Sequence, residues 1–240
     1  MIRARRWIAS ALAICTTLLA SPAFAASAIA APQTTEAVRI GVILAVLAIV
    51  PAILISTTSF IRIVVVLSMV RHAFGMPQTP PNAVLTSLAL FMTAFVMGPT
   101  LTEVNQKGLQ PLLDGTQELT QALEGGSQPL REFMLAHTRD SDLEMVYRMS
   151  GSPLPATPQD VELLKLIPAF MLNELRVAFT IGFVILLPFL LIDLVVASIL
   201  LSLGMMMVPP ATISLPVKVL MFVLIDGWSL VLEGLLGSFT

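Results

Sequence analysis

Apolar residues along this chain come in long blocks, not at the alternating or three-and-four spacing of soluble elements. The blocks cover residues 7–20, 40–55, 60–70, 83–97 and almost all of 167–239. A helix needs about 20 apolar residues to cross a bilayer, so the pattern predicts membrane helices. The run 40–55 is broken by Pro51 and followed by Ser56-Thr57-Thr58-Ser59, whose hydroxyls are expected to bond back to carbonyls freed by the proline. The next block stops at Arg71-His72-Ala73-Phe74-Gly75, where prolines at 77, 80 and 81 turn the chain. Its return limb, 83–97, is closed by Gly98-Pro99, completing a first hairpin over 40–99.

Residues 100–166 read differently. Pro111, Gly115, Gly125-Gly126 and the run Gly151-Ser152-Pro153-Leu154-Pro155-Ala156-Thr157-Pro158 punctuate a polar stretch. Between the last two lies an amphipathic pattern over 128–149, with Leu130, Phe133, Met134, Val146 and Met149 near helical spacing and Arg131, Glu132, Arg139, Asp140 and Glu144 as a solvated face. The longest apolar region follows, 167–240, with one internal break at Gly204-Met205-Met206-Met207-Val208-Pro209-Pro210. Gly204, Pro209 and Pro210 make this a turn between two long helices, and Pro168, Pro188 and Pro216 are expected to kink or end helices around it.

Composition sharpens the picture. Of 240 residues, 56% are hydrophobic and 12% charged, about half the charge of a soluble domain. The net charge of −2 is uneven, because residues 100–165 carry ten acidic and five basic groups. No basic stripe interleaved with aromatics is present, so nucleic-acid binding has no support. Arg71 lies in the loop between the limbs of the first hairpin, which the positive-inside rule sets in the cytoplasm, with the acidic segment outside.

The amino terminus, Arg3-Ala4-Arg5-Arg6, then an apolar run, then Pro22-Ala23-Phe24-Ala25, matches a secretory signal over 1–25, with cleavage between Ala25 and Ala26 and a polar segment 26–39 after it. An uncleaved anchor helix is the alternative. Cys15 is the only cysteine and excludes disulfides and thiolate metal sites; Ile14 before it argues against lipoprotein processing. The two histidines, and the lack of a zinc-peptidase motif, a nucleophile elbow, a P-loop or a dinucleotide fingerprint, leave enzyme readings without a carrier. Asp193 and Asp226 lack the surroundings of an intramembrane aspartyl protease. No cofactor or metal is expected.

Arg62, Glu174, Arg176, Asp193, Lys218 and Asp226 sit inside apolar blocks, where a charge costs about 2.5–3.5 kcal/mol unless paired or hydrated. If the second hairpin turns near Met207, Asp193 and Lys218 fall within one helical turn of facing each other. Two readings stand: salt bridges that close the hairpin or join subunits, and a proton or ion relay. Met205, Met206 and Met207 likewise have two readings. Three unbranched thioethers suit a surface that closes and reopens, and they equally suit a plug of the turn.

Specific stretches then point further. Thr79-Pro80-Pro81-Asn82 leads into Ser87-Leu88-Ala89-Leu90-Phe91-Met92-Thr93. Gln128-Pro129-Leu130-Arg131-Glu132-Phe133-Met134 follows, then Ile167-Pro168-Ala169-Phe170, Asn173-Glu174-Leu175 and Gly182-Phe183. The closing part runs Pro188-Phe189-Leu190, Ile192-Asp193-Leu194-Val195, the Gly204 to Pro210 turn, Leu215-Pro216 and Asp226-Gly227-Trp228. Across nearly the whole mature chain these resemble the FliP family of flagellar type III export-gate proteins. His72 and Phe74 depart from a loop that relatives often write Arg-Asn-Ala-Leu-Gly.

The resemblance implies a subunit of a gate in the bacterial inner membrane and flagellar basal body, built from several copies of itself with smaller partners of the FliQ and FliR families and other export-apparatus proteins. Unfolded flagellar proteins pass through, and Met205, Met206 and Met207 line the closed pore. The expected architecture is an all-α membrane protein: two kinked helical hairpins with a small helical extracytoplasmic insert, forming an oligomeric pore. An ion-coupled carrier, a passive basal-body scaffold and the equivalent subunit of a virulence injectisome are the rivals. The carrier lacks the matched internal repeats usual for that class.

Overall fold

The computed structural model describes residues 33–76 and 78–239. The expected leader, its cleavage site at Ala25 and Ala26, and residues 26–32 of the polar segment lie outside the described residues. The chain divides into two compact units, Met1–Pro51 and Ala52–Thr240. Every described residue is in a helix, turn or irregular segment, so the fold is all-helical.

In the first unit the described chain is the main part of helix α1 (Gln33–Thr57). Val38, Ile40, Leu44, Leu47, Ile49 and Val50 are all exposed, and a helix apolar on every side has no polar face to give to water.

The second unit takes up the chain at Ala52. Pro51 does not break α1, contrary to the sequence expectation, because the helix runs on to Thr57. The hydroxyls of Thr57 and Thr58 donate to the carbonyls of Ile53 (2.8 Å) and Leu54 (2.6 Å). These are last-turn carbonyls, not the one a proline at 51 frees, so the hydroxyls end the helix instead of repairing it. After Thr57 the chain bends by 69° into α2 (Phe60–Ala73).

Helix α2 buries Ile63, Val66, Leu67 and Val70, one face at helical spacing, and packs along the centre of α7 (Leu163–Ser202). A methyl group at Gly182 of α7 would sit 2.2 Å from Met69 Sδ, so the missing side chain sets how closely these helices approach. The hairpin partner is α3 (Asn82–Val96), from which the chain bends by 67° into α4 (Gly98–Leu113). The limb ends at Val96 with its cap at Met97, where the sequence expects it to close, and Gly98-Pro99 opens a new helix, as proline does in a first turn.

Helix α4 contains a π turn at Asn105–Leu109 that lies against α5 (Leu119–Ala136). Gly125 sits inside α5, not in a loop. A β-carbon there would lie 2.4 Å from the Lys107 carbonyl oxygen, so backbone meets backbone. The single amphipathic helix expected over 128–149 is two helices, α5 and α6 (Asp140–Met149), with Pro129 inside α5. Met134 and Tyr147 join Val161, Leu166 and Phe170 in a second core, while Met149 is exposed. The first turns of α7 thus belong to the core of the insert.

Pro168 and Pro188 lie within the 40 residues of α7, and Pro216 within α8 (Pro210–Leu224). The closing limb is not one long helix. It breaks at Asp226 and bends by 66° into α9 (Gly227–Gly237). Phe74 meets Phe189 and Phe222 edge-on at 5.3 and 4.7 Å, and Phe222 meets Trp228 at 5.5 Å, which locks α2, α7, α8 and α9 together.

Candidate functional site

The turn between α7 and α8 follows from its residues. Gly204 takes φ +73°, its N–H donates to Leu201 O (3.0 Å), and the N–H of Met205 donates to Leu200 O (2.9 Å). This is the left-handed glycine cap that ends a helix by satisfying its last carbonyls. At the far side Pro210 occupies the first turn of α8, where its missing N–H is no loss. Between these stops, Met205, Met206 and Met207 are 45%, 82% and 97% exposed. The three thioethers stand out from the chain and do not plug the turn.

Below the loop, Asp193 accepts hydrogen bonds from Lys218 Nζ and Ser214 Oγ, both at 2.6 Å. Lys218 Nζ also donates to the carbonyl of Ala73, the last residue of α2 (3.3 Å). Lys218 is buried; Asp193 is half-buried and faces an open cleft of about 320 Å³ lined also by His72, Gly75 and Thr212. One ammonium therefore ties α7, α8 and the end of α2, with the Asp193 side of the pair only partly covered by the chain itself.

A second node is drier. Arg62 of α2 and Glu174 of α7 form a two-point ion pair, Nε donating to Oε2 at 2.8 Å and a terminal N–H to Oε1, with both side chains almost wholly buried. The other terminal nitrogen of Arg62 donates to Ser238 O (2.7 Å) and Oγ (3.0 Å). The guanidinium lies 3.9 Å from the centre of the Phe239 ring. The planar fork of arginine suits this set of contacts, which a lysine could not reproduce.

Two of the six charges are exposed. Asp226 is exposed, adopts φ +49° at the break before α9, and accepts from Ser229 Oγ (2.7 Å), so it marks a helix stop. The Arg176 side chain is 44% exposed, and it is its partner that is buried: Arg176 donates at 2.6 Å to Asp142 of α6. Asp142 escaped the sequence reading because it sits among charged residues of a solvated face. The only hint is that it lies one turn before Val146 on the inward stripe. Beside it Asn173 donates to the carbonyl of His137, which caps α5. The insert is thus pinned to α7 by polar contacts as well as by its core.

Among the described residues no three His, Cys, Asp or Glu side chains are grouped to hold a metal ion. Arg62, Arg176 and Lys218 each pair with an acid, Ser214 donates to the Asp193 carboxylate that Lys218 also holds, and Asp142 Oδ2 is buried without a hydrogen-bond partner. The arrangement can hold helices at fixed angles and present a deformable apolar loop.

The family model described as FliP family matches residues 43–235, which include both ion pairs, Arg62 with Glu174 and Asp193 with Lys218, and the methionine loop. Similar proteins include the flagellar biosynthetic protein FliP of Caulobacter vibrioides, 51% identical over 206 residues that cover 86% of this chain and 77% of the relative. That of Bacillus subtilis is 47% identical over 207 residues, covering 86% and 94%. That of Pectobacterium carotovorum subsp. carotovorum is 49% identical over 205 residues, covering 85% and 80%.

Proposed function

The chain belongs to the FliP family, and from that premise we propose that it is a core subunit of the flagellar type III protein-export gate. Several copies, with membrane partners of the FliQ and FliR families, form a gated channel in the bacterial inner membrane for unfolded flagellar proteins. The role is structural, not enzymatic. The observation that carries this reading is the family match through 193 consecutive residues, at about half identity to relatives named for flagellar biosynthesis.

Physical features support it. Helix α7 is long and apolar enough to cross a membrane, and up to four spans result if each bent pair counts as one. At 1.5 Å per residue its 40 residues reach about 60 Å, twice a hydrocarbon core of about 30 Å. The surplus is accounted for where the first turns of α7 enter the core of the insert, which this reading puts outside the cytoplasm. Exposed methionines on a glycine-capped turn suit a soft seal in a ring of such turns.

The salt-bridge reading is favoured over the relay because Arg62 and Lys218 hold several fixed partners each, a clamp's geometry. Deleting the gene tests the function. Motility and the appearance of flagellar subunits in the culture medium should both be lost, and both restored by the intact gene. Continued secretion of those subunits in the deletion strain would sink the proposal.

A further inference from the structure

In the single chain Met205, Met206 and Met207 are exposed side chains, whereas Met92, Met97 and Met134 are buried. Thioether sulfur is oxidised where a small oxidant reaches it, and the product is a polar sulfoxide that one dithiol can reduce again. We propose that this triad is a reversible oxidation site, and that its oxidation by peroxide-class oxidants loosens the closed loop. The step balances. Each sulfur takes one oxygen atom from a peroxide, which leaves as water, and the sulfur loses the two electrons that the peroxide gains. In the reverse step two thiols become a disulfide and the oxygen leaves as water.

Selectivity follows from position in the fold. Gly204 and Pro209-Pro210 stop the helices on both sides, so no neighbouring turn covers the sulfurs. Met145 and Met149 of α6 are also exposed, at 44% and 80%, and lie in the insert far along the chain from the loop. They serve as built-in references, reacting with the same oxidants without touching the turn. The consequence for the loop is chemical: three adjacent apolar, deformable side chains become three strong hydrogen-bond acceptors that bring water with them. This inference rests on the reading of the loop as a seal.

The test uses the assembled membrane complex in sealed vesicles, treated with hydrogen peroxide after assembly so that folding is not in question. Peptide mass measurement is expected to show a gain of one oxygen per methionine at 205, 206 and 207 at a rate within a few-fold of Met149, and far ahead of Met97 and Met134. Ion leak across the vesicles should rise several-fold with that oxidation and fall again after a dithiol-dependent sulfoxide reductase acts. The triple variant M205L, M206L, M207L keeps an apolar loop without sulfur, and its leak, whatever its starting level, should not change with peroxide. The triple variant M205A, M206A, M207A should leak without any oxidant.

A loop that stays unoxidised while Met149 reacts overturns the inference. So does full oxidation with no change in leak, or an equal rise in the leucine variant. If the alanine variant leaks in these cases, the seal reading stands and the oxidation switch alone fails. An alanine variant as tight as the parent removes both.

Discussion

Replacing Arg62 by methionine removes the buried guanidinium and leaves Glu174 at the centre of the α2 and α7 contact without either of its charge-assisted hydrogen bonds. Breaking a buried pair by removing one partner costs about 3–5 kcal/mol, because the remaining charge stays desolvated. At 1.4 kcal/mol per tenfold, that is about a 10²- to 10⁴-fold drop in the ratio of folded to unfolded chain. Whole domains are stable by only about 5–15 kcal/mol, so R62M sits near the edge of folding. Changing Glu174 to leucine as well should restore most of the loss, since two apolar side chains fill the site with no charge to desolvate. Double replacement of buried pairs is often neutral.

The assay is equilibrium unfolding of the solubilised chain in a denaturant titration, with R62M, E174L and R62M/E174L measured side by side. Each single is expected to lose about 3–5 kcal/mol, the double to return to within about 1 kcal/mol of the parent. R62K should fall between, because a lysine cannot hold Glu174 at two points while also meeting Ser238. A double variant whose loss equals the sum of the singles refutes the reasoning, since additivity means the two side chains do not interact.

Four further outcomes follow. At the wetter pair the effect should be lopsided: D193L leaves a buried ammonium and costs about 1–3 kcal/mol, while K218M leaves a half-exposed carboxylate that hydrates and costs less, read by the same titration. Exchanging the two charges, Asp193→Lys with Lys218→Asp, should recover part of the export lost in either single reversal, measured as secreted flagellar subunits; no recovery would favour a proton relay over a clamp. G125A forces a β-carbon onto the Lys107 carbonyl, which as backbone cannot yield, and should lose about 1–3 kcal/mol and expose residues 100–130 to protease. G234A meets nothing within 4 Å in α9, so it should be neutral or raise stability by about 0.5–1 kcal/mol.

What the sequence made legible depends on how far apart partners lie along the chain. Asp193 and Lys218 are 25 residues apart across one turn, so counting back from Met207 was enough to set them face to face. Arg62 and Glu174 are 112 residues apart, and no local count could pair them, although each stood out as a charge among apolar residues. Asp142 and Arg176 failed for a different reason. An acid on a helix already carrying Arg139, Asp140, Glu144 and Arg148 looks like solvated surface until a second helix arrives opposite it.

Pro51, Pro168, Pro188 and Pro216 lie inside helices, while the bends between helices fall at Thr58-Ser59, at Met97 and at Ile225-Asp226. In apolar surroundings a helix has no water to compensate a lost turn, so it tolerates one missing hydrogen bond more readily than a full break. The breaks come where hydroxyls or a left-handed residue can close the helix end instead, as at Thr57, Thr58 and Asp226.

The charge pairs bear on how copies would meet in the proposed gate. Both buried cations were read from the sequence as contacts that close a hairpin or join subunits. Arg62 and Lys218 find their acids within the same chain, at 2.8 and 2.6 Å. The chain thereby neutralises these two buried cations by itself. The faces left uncovered, such as Leu90, Phe91 and Phe95 on α3 and Leu187, Leu190, Leu191 and Leu194 on α7, are uncharged. In lipid such faces gain little by leaving an apolar solvent, so association rests on close packing, for which shape decides. Methionine at the turn is then the exception that proves useful: where neighbours must fit tightly everywhere else, it is the side chain that can fit in more than one way.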